Sequence, residues 1–399
     1  GIPKDQVPSN VQGGTSKQIE NQNTLSIADF MNQNIGNLNI NEIGTNPFQP
    51  DVNYRGFTAS PLLGTPQGLS VFQDGVRINE PFGDIVNWDL IPQGAISSMN
   101  LIPGSNPLYG LNTLGGALAI RTKSGRQHPG LGVEAYGGSF GRRAGEIEYG
   151  GKTGPFDYYI LGHVFEEDGW RDFSPSDVKQ FFAKVGYETG SLDFDLSLTH
   201  ADNDLIGNEL VPVSFFERRR ESVFTLPDQS LNEMTMLNLT SSWFVNDNIQ
   251  LAGNISHRRS DRKGLNGDSN DDFEDSDNDG ATGANGGLGI NEDTAARNTT
   301  DTRQRGQGFS LQFSHIIDRN QLTIGTSFDD SKSRFSQSVQ EGVFNADRGV
   351  DSEEEVELEN EMTGTTRTSS IFFTDTFAIT PATHLTVSGR YNRTRVKTV

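Results

Sequence analysis

The densest group of side chains that could do chemistry in this 399-residue chain is acidic. Seven carboxylates lie between Asp268 and Asp279, and three of them, Asp275, Asp277 and Asp279, alternate ahead of a glycine. Alternating carboxylates followed by glycine are typical of a calcium-binding loop. The twelfth position of such a loop needs a bidentate glutamate, and here it is Gly286. The segment is therefore interpreted as a solvated acidic loop, with a weak calcium site as the alternative.

We predict that this segment binds calcium weakly if at all, because the missing glutamate lowers the number of ligands. Calorimetric titration is expected to give a dissociation constant no tighter than about 10⁻⁴ M, the range of weak extracellular calcium modules. Submicromolar binding would contradict the interpretation as a solvated loop.

No other group of catalytic or metal-binding residue types stands out. The chain has no cysteine, which excludes thiolate nucleophiles and thiolate metal sites. Its six histidines include no pair spaced four residues apart, and there is no phosphate-binding GxxxxGK motif. A formal net charge of −21 argues against nucleic acid as a partner. The sequence thus predicts neither an enzyme nor a resident cofactor.

Two regions with different patterns must position whatever binding groups the chain has. From about Gln6 to Gly125, one helix and several short strands are separated by turns rich in glycine and proline. Ser26 is the predicted N-cap of the helix, and Asp29 completes a capping box. The segments that begin at Leu69 and Met99 are short and β-prone. This pattern predicts a small α+β domain.

From about Leu131 the pattern changes to long strands in which apolar and polar residues alternate. Leu192, Phe194, Leu196 and Leu198 share one strand face, and polar residues take the other. Alternation by itself fits a soluble sandwich or a barrel. The connections favour a barrel, because short turns alternate with long links, as in barrels with short turns on one side of a membrane and long loops on the other.

Hydropathy agrees with a barrel. Only 33% of the residues are hydrophobic, and no apolar run approaches the roughly 18 residues that a spanning helix requires. A transmembrane barrel needs apolar residues only at alternate positions of its strands. We count about eleven strands between Leu131 and Val399, whereas plugged barrels have about 22. We therefore expect an incomplete barrel whose first and last strands do not pair.

Glycine turns recur in a fixed order along the first region. Arg55-Gly56 comes first, then Asp74-Gly75 at a strand end, and then a glycine-rich turn that leads into a short strand at Ala117. This order and spacing resemble the plug domain of TonB-dependent outer-membrane receptors. In that family such residues hold the shape of the plug and its seat in the barrel. The motif positions in the third segment are Pro103, Gly104, Tyr109, Gly110, Gly115 and Gly116.

The resemblance implies an architecture and a role. It implies an α+β plug domain over residues 1–125, followed by the N-terminal half of an antiparallel transmembrane β-barrel over residues 126–399. Such receptors lie in the bacterial outer membrane, in contact with its lipid, and bind a scarce small nutrient at the outer face. TonB, with its inner-membrane energising complex, then drives import. Siderophore, cobalamin, haem and saccharide ligands all stay open, with a ferric siderophore first by family frequency.

Two plug segments, residues 57–67 and 80–89, are predicted to lie at the ligand-facing apex, because they are loops that mix aromatic and polar residues. The alternative for the aromatic members is packing against the barrel wall or in the plug core. We also expect Arg55 and Asp74 near the middle of the domain and the Gly115-Gly116 pair at a close backbone approach. The ligand-facing candidates are Thr58, Ser60, Gln67, Glu80, Phe82 and Trp88.

Two other functions stay open at this point. A passive porin or an adhesin-like barrel would share the strand pattern, and proton-gradient dependence of uptake would separate it from a receptor. A soluble calcium-binding surface protein is favoured only by the acidic loop, and partition between detergent and buffer would test it. Neither a signal peptide nor a segment like the family's TonB contact motif precedes Gln6, so a mature form or a fragment is expected.

Overall fold

The computed structural model describes residues 10–42, 46–208, 210–269, 295–380 and 383–399. A small N-terminal domain of helices and short strands lies against one face of a long antiparallel sheet. The three carboxylates of the candidate calcium loop, Asp275, Asp277 and Asp279, lie outside the described residues. That hypothesis therefore stays a prediction.

Two helices begin the N-terminal domain, α1 (Ser16–Gln22) and α2 (Ile27–Asn34). The predicted capping box of α2 is confirmed, because the Asp29 amide donates to Ser26 Oγ at 3.2 Å and the Ser26 amide donates to Asp29 Oδ2 at 3.3 Å. The sequence interpretation missed α1. Its signal was a second capping-box pair, in which the Thr15 amide donates to Gln18 Oε1 at 3.0 Å.

The short strands of this domain form two sheets. In the larger one the order is β1-β7-β8-β5-β6, with β5 and β8 parallel and the other pairs antiparallel, while β2, β3 and β4 form a separate antiparallel sheet. Both predicted β-prone segments are strands. The eight strands are β1 (Gln12–Thr15), β2 (Leu38–Asn41), β3 (Asp51–Tyr54), β4 (Phe57–Ala59), β5 (Leu69–Gln73), β6 (Val76–Arg77), β7 (Ile96–Pro103) and β8 (Gly116–Thr122).

The core of the domain is aromatic as well as aliphatic. Phe30 and Met31 of α2 and Tyr54 of β3 are fully buried, and all five residues of β5 are buried. Trp88 lies in a 3₁₀ turn, where its Nε1 donates to the Ala59 carbonyl at 3.0 Å. This hydrogen bond satisfies the indole nitrogen inside an otherwise apolar cluster. The α+β prediction for this region is confirmed.

Among the residues that the structure describes, eleven strands of the long sheet form a single antiparallel meander, in agreement with the predicted number of about eleven. The two-residue β18 (Val350–Asp351) pairs only with β17 and lies off this path. A short helix, α3 (Val213–Arg218), lies in one link. The strands are β9 (Gly130–Gly137), β10 (Arg143–Thr153), β11 (Phe156–Glu167), β12 (Ser176–Glu188), β13 (Leu192–Ile206), β14 (Asp228–Asn246), β15 (Ile249–Ser269), β16 (Ala295–Ile317), β17 (Asn320–Phe344), β19 (Glu357–Thr380) and β20 (Thr383–Thr398).

The strands are longer than the apolar alternation in the sequence. Strands β16 and β17 have 23 and 25 residues, although the alternation around Phe309 covers only a short part of β16. In the remaining part both faces carry polar residues, so the period of two is invisible in hydropathy even though the backbone stays extended. The short links lie at one end of the sheet and the longer ones at the other, as predicted.

The two faces of the sheet differ. One face packs against the N-terminal domain through residues such as Ala201 and Met234. The opposite face, called the outward face below, exposes a band of apolar side chains that includes Leu196, Ile255 and Ile371. Strands β9 and β20 form the two edges, and in the part of the chain that the structure describes they are not paired with each other. The expectation of an unclosed sheet is confirmed.

No helix among the described residues combines the length and the hydropathy needed to cross a bilayer.

Candidate functional site

Buried polar groups concentrate where the N-terminal domain meets the inner face of the long sheet. Glu80 is the centre of one group, with only 1% of its surface exposed. Its carboxylate accepts from Arg258 Nη2 at 2.5 Å, from Ser260 Oγ at 2.9 Å and from Gln304 Nε2 at 3.0 Å. Arg258 also donates to the Ile78 carbonyl at 2.7 Å. Strands β15 and β16 thus clamp the loop that follows β6.

Asp89 is the centre of a second group, and its carboxylate is fully buried. Its Oδ2 accepts from the side-chain amides of Asn203 at 2.9 Å and Asn232 at 3.0 Å. Its main-chain carbonyl accepts from Gln180 Nε2 at 2.6 Å and again from Asn203. Burial raises the pKa of the Asp89 carboxyl, and the two asparagine hydrogen bonds and the charge of Arg262 offset this only in part.

We predict that Asp89 makes the folded protein less stable as the pH rises. Since its folded pKa lies above the ordinary value of 3.8, the folded state holds this proton more tightly than the unfolded chain does. The stabilisation from protonation is present below 3.8 and is lost as the pH rises towards the folded pKa. The isosteric variant Asp89→Asn cannot ionise, so it should gain stability relative to the wild type with rising pH. Urea unfolding of both proteins between about pH 4 and pH 7 measures this, and a pH-independent difference would contradict it.

Asp74 links the domain to the sheet from the turn between β5 and β6. Its Oδ1 accepts from the Thr122 amide at 3.0 Å, and Lys184 Nζ of β12 lies 3.2 Å from its Oδ2. Its carbonyl accepts from Asn238 Nδ2 of β14 at 3.1 Å. Both Asp74 and Gly75 have positive φ, at 45° and 84°, as a two-residue hairpin turn of this hand requires. Asp74 therefore lies at the contact between domain and sheet.

Lys123 forms a further contact that the sequence interpretation missed. Its side chain is 2% exposed, and its Nζ lies 2.8 Å from Glu20 of α1 and 2.7 Å from Glu148 of β10. A lone lysine after a strand carries no sequence signal for this role. Only the position of α1 and β10 on either side of it brings the two carboxylates together.

Arg55 does not lie near the middle of the domain, so that expectation is wrong. Arg55 and Gly56 form the exposed tip of the β3–β4 hairpin, with φ of 52° and 86°. The Arg55 guanidinium lies 5.0 Å from the ring centroid of Tyr54, and it has no carboxylate partner within the described ranges. A two-residue turn projects away from the sheet that it joins, which is why this arginine is exposed.

The glycine-rich segment after β7 has the predicted close approach. A Cβ on Gly115 would lie 2.5 Å from Phe57 Cβ, and a Cβ on Gly116 would lie 2.6 Å from the Ile102 carbonyl oxygen. Pro103 pairs with Gly116 in the sheet, and the Gly104 amide donates to the Gly115 carbonyl at 3.0 Å.

The other two members of this segment lie further out in the same loop. The Tyr109 ring packs 5.2 Å from the Phe72 ring, centroid to centroid. A Cβ on Gly110 would lie 3.0 Å from the guanidinium of Arg390, which donates to the Pro107 carbonyl at 3.2 Å. This loop therefore contacts β20.

Three of the predicted ligand-facing residues hold their own loop together instead of projecting from it. The Ser60 amide donates to Gln67 Oε1 at 2.9 Å, and Gln67 Nε2 donates back to the Ser60 carbonyl at 3.2 Å. Thr58 Oγ1 donates to the Pro66 carbonyl at 2.9 Å. These bonds stiffen the loop after β4.

The remaining three candidates pack against their surroundings. Glu80 and Trp88 are buried, so in this conformation neither faces a ligand. Phe82 stacks on Phe335 of β17 with ring centroids 4.9 Å apart, and its amide donates to Gln304 Oε1 at 2.8 Å. The alternative for the two aromatic residues, packing against the wall or in the core, is what the structure shows. Sequence pattern cannot reveal burial against strands that lie far away in the chain.

Asp84 joins three loops at one end of the domain, and the sequence interpretation did not identify it. Its carboxylate pairs with Arg77 Nη2 at 2.6 Å and accepts from Asn112 Nδ2. A Cβ on the neighbouring Gly83 would lie 2.3 Å from Leu63 Cδ2, so the loop after β4 also packs here. The loops that contain Leu63, Asp84 and Asn112 thus form one continuous surface, called the apex below.

Comparison with known proteins identifies the architecture. Residues 3–117 match the family model of the TonB-dependent Receptor Plug Domain. Among solved structures, the ferripyoverdine receptor of the outer membrane of Pseudomonas aeruginosa superposes with a TM-score of 0.73 at 12% identity, over 100% of this chain and 53% of the receptor. The ferric yersiniabactin uptake receptor FyuA from Yersinia pestis gives 0.69 at 12%, over 98% and 61%. The ferric-catecholate import receptor Fiu from E. coli gives 0.71 at 14%, over 98% and 60%.

The fold is thus a plug domain seated against a partial β-barrel. Residues 3–117 match the plug domain of the TonB-dependent receptors, and the chain as a whole has the fold of the three receptors named above. The family consists of transport receptors rather than enzymes. The chain spans between 53% and 61% of the length of the three receptors named above.

Proposed function

We propose that this chain belongs to an outer-membrane receptor that binds a scarce nutrient at the apex and imports it with energy transmitted by TonB. The observation that carries the proposal is the polar seam between plug and sheet. Glu80, Asp89 and Asp74 attach the plug to β12–β16 through hydrogen bonds and ion pairs. Polar contacts can be exchanged for water when a plug moves, which a continuous apolar interface would resist.

The position of β1 supports energy transfer through the plug. Within the described part of the chain, this strand is the edge of the larger plug sheet and pairs only with β7, over Gln12 to Thr15. A partner that pulls on the chain before β1 would load this four-residue pairing first. Such an edge strand can be peeled away one hydrogen bond at a time, so the pull needs little force at each step.

The outer membrane is the proposed location. The outward face of the sheet exposes apolar side chains such as Leu196, Phe309 and Ile324 in a continuous band. In water such a band would favour association, whereas in a bilayer it matches the hydrocarbon layer. The long strands beyond this band would then extend outside the membrane, together with the long links.

A ferric chelate is the proposed ligand class. Of the three receptors compared above, the first is bound to ferripyoverdine, the second is an uptake receptor for ferric yersiniabactin and the third is an import receptor for ferric catecholate. The tips of the apex loops carry exposed Leu63, Leu108 and Leu111, which give a ligand apolar contact. No catalytic role is proposed, and no cofactor is needed for binding and release of such a ligand.

Growth of a deletion strain on a panel of ferric chelates, with cobalamin, haem and saccharides for comparison, tests the ligand class. Restored growth on one ferric chelate is expected when the full-length gene is returned. Growth restored only on a saccharide, or on none of the iron sources, would contradict the ligand class.

Dependence on the proton gradient separates a receptor from a passive porin. Uptake of the labelled chelate is expected to stop when a protonophore collapses the gradient or when TonB is deleted. Uptake that continues at the same rate under both conditions would instead support passive diffusion through a barrel.

A further inference from the structure

Six basic side chains on the outward face form three like-charged pairs. Antiparallel register sets Arg303 directly opposite Arg334, Arg305 opposite Lys332, and Arg367 opposite Arg395. All six side chains are exposed, and they occupy strands β16, β17, β19 and β20. These residues are called the basic band below.

Opposed like charges on neighbouring strands destabilise a sheet. Only two members of the basic band have a carboxylate partner among the described residues, Arg303 with Asp301 at 3.0 Å and Arg367 with Asp330 at 2.6 Å. Among the described residues, no carboxylate partner is found for the other four members, Arg305, Lys332, Arg334 and Arg395. A chain with a net charge of −21 thus concentrates unneutralised positive charge on one part of one face.

The outward face of the earlier strands carries acidic residues in addition to basic ones. Strands β11 to β14 carry Glu166, Asp177, Asp202 and Glu233 there, on the same side of the sheet. Arg143 and Lys179 also lie on that part of the outward face, but the register sets Glu166 and Asp202 opposite them, so like-charged basic pairs are local to β15–β20. The charge of the basic band calls for a polyanionic partner rather than for scattered counter-ions.

The band lies directly beyond the apolar part of each strand. On β17, Lys332 follows the exposed Phe328 by four residues, and on β20, Arg395 follows the exposed Tyr391 by four. At about 3.3 Å per residue, the charges lie about 13 Å from these apolar side chains along the strand. A shallow cavity of about 130 Å³ lies within the band, lined by Thr365, Arg367, Arg395 and Lys397.

We propose that the basic band is a binding site for the phosphorylated headgroup of a membrane lipid whose acyl chains lie against the apolar band. This inference rests on the proposed membrane location. Charge complementarity selects phosphate, because guanidinium groups bind phosphate oxygens in a bidentate geometry. The adjoining apolar band selects a lipid over a soluble phosphate, because it holds the acyl chains of the same molecule.

Native mass spectrometry of the purified full-length protein in neutral detergent tests the proposal. Phosphatidic acid and phosphatidylcholine are offered as probes, and inorganic phosphate is added as a soluble competitor. We expect phosphatidic acid to be retained in preference to phosphatidylcholine, and phosphate at equal concentration to leave it bound. Preference for phosphatidic acid should fall as the salt concentration rises, because the site is exposed.

A charge-removal pair gives the matched comparison. The double variant Arg305→Gln with Lys332→Gln is expected to lose about tenfold or more in apparent affinity for phosphatidic acid, since each basic residue beside an anionic headgroup contributes roughly fivefold. The control Arg143→Gln with Lys179→Gln removes one arginine and one lysine from the outward face of β10 and β12. It should bind as the wild type does.

Each outcome decides the matter. Equal affinity of the double variant and wild type, equal loss in the control, or displacement of phosphatidic acid by inorganic phosphate would overturn the proposal. If the double variant does not fold, the salt dependence of the wild type's preference for phosphatidic acid decides instead, and a preference that does not fall with salt would overturn the proposal. Chelate uptake is measured in parallel: unchanged uptake with lost lipid preference supports a separate lipid site, whereas a wild type that takes up no chelate but prefers phosphatidic acid contradicts only the proposed ligand.

Discussion

Glu80→Ala is expected to destabilise the seat of the plug by about 3–5 kcal/mol. The change removes the carboxylate that accepts from Arg258, Ser260 and Gln304. Arg258 has only 11% of its side chain exposed, so it is left as a buried charge without its counter-ion. Breaking a buried ion pair by removing one partner has an effect of about this size. Urea unfolding of the full-length protein, followed through tryptophan fluorescence to which buried Trp88 contributes, measures the change.

A matched exposed pair serves as the control. Glu166 lies 2.8 Å from Arg143 on the outward face, with 49% and 78% of the two side chains exposed. Glu166→Ala should therefore leave the unfolding midpoint almost unchanged, because water and salt already screen the pair. If Glu80→Ala were no more destabilising than Glu166→Ala, the buried contacts of Glu80 with Arg258, Ser260 and Gln304 would not hold the plug against the sheet.

Gly116→Ala is expected to destabilise the plug sheet by about 2–6 kcal/mol. Gly116 has φ of 150°, and an added Cβ would lie 2.6 Å from the Ile102 carbonyl oxygen, a rigid main-chain atom of the paired strand. Strained backbone costs about 1–3 kcal/mol, and overpacking costs about as much again. Hydrogen exchange of the β7 and β8 amides, together with urea unfolding, reports the loss of this pairing.

Gly104→Ala separates the two causes. Gly104 also has a positive φ, 77°, but a Cβ there would meet nothing within 4 Å. The control therefore carries backbone strain without the clash, and about 1 kcal/mol of destabilisation is expected. Equal destabilisation by the two substitutions would mean that the close approach at Gly116 contributes nothing.

The local elements of the fold were predictable from the sequence. Ser26 and Asp29 marked the start of α2, and Asp74-Gly75 marked a turn at a strand end, because caps and tight turns depend on residues a few positions apart. The eleven-strand meander followed in the same way from alternation and turn spacing.

The sequence predicted which segments contribute to the candidate site, but not which of their side chains are buried. The two predicted segments contribute Leu63 and Asp84 to the apex, yet Glu80 and Trp88 of the second segment are buried instead of facing a ligand. Their partners, Arg258 for Glu80 and Ala59 for Trp88, lie on other elements. Neither a motif nor a period in the local sequence encodes such a partner.

The sequence by itself determined the start of α2, the order of the strands in the long sheet and the face that side chains take wherever apolar and polar residues alternate, because these depend on backbone geometry repeated every few residues. The tertiary structure alone decided which charges meet. Lys123 lies between Glu20 and Glu148, Asp89 lies between Asn203 and Asn232, and the basic band arises from the register of β16 against β17. The physical reason is that ion pairs and buried hydrogen bonds act over a few ångströms in space, and the curvature of the sheet around the plug sets those distances between residues far apart in the chain.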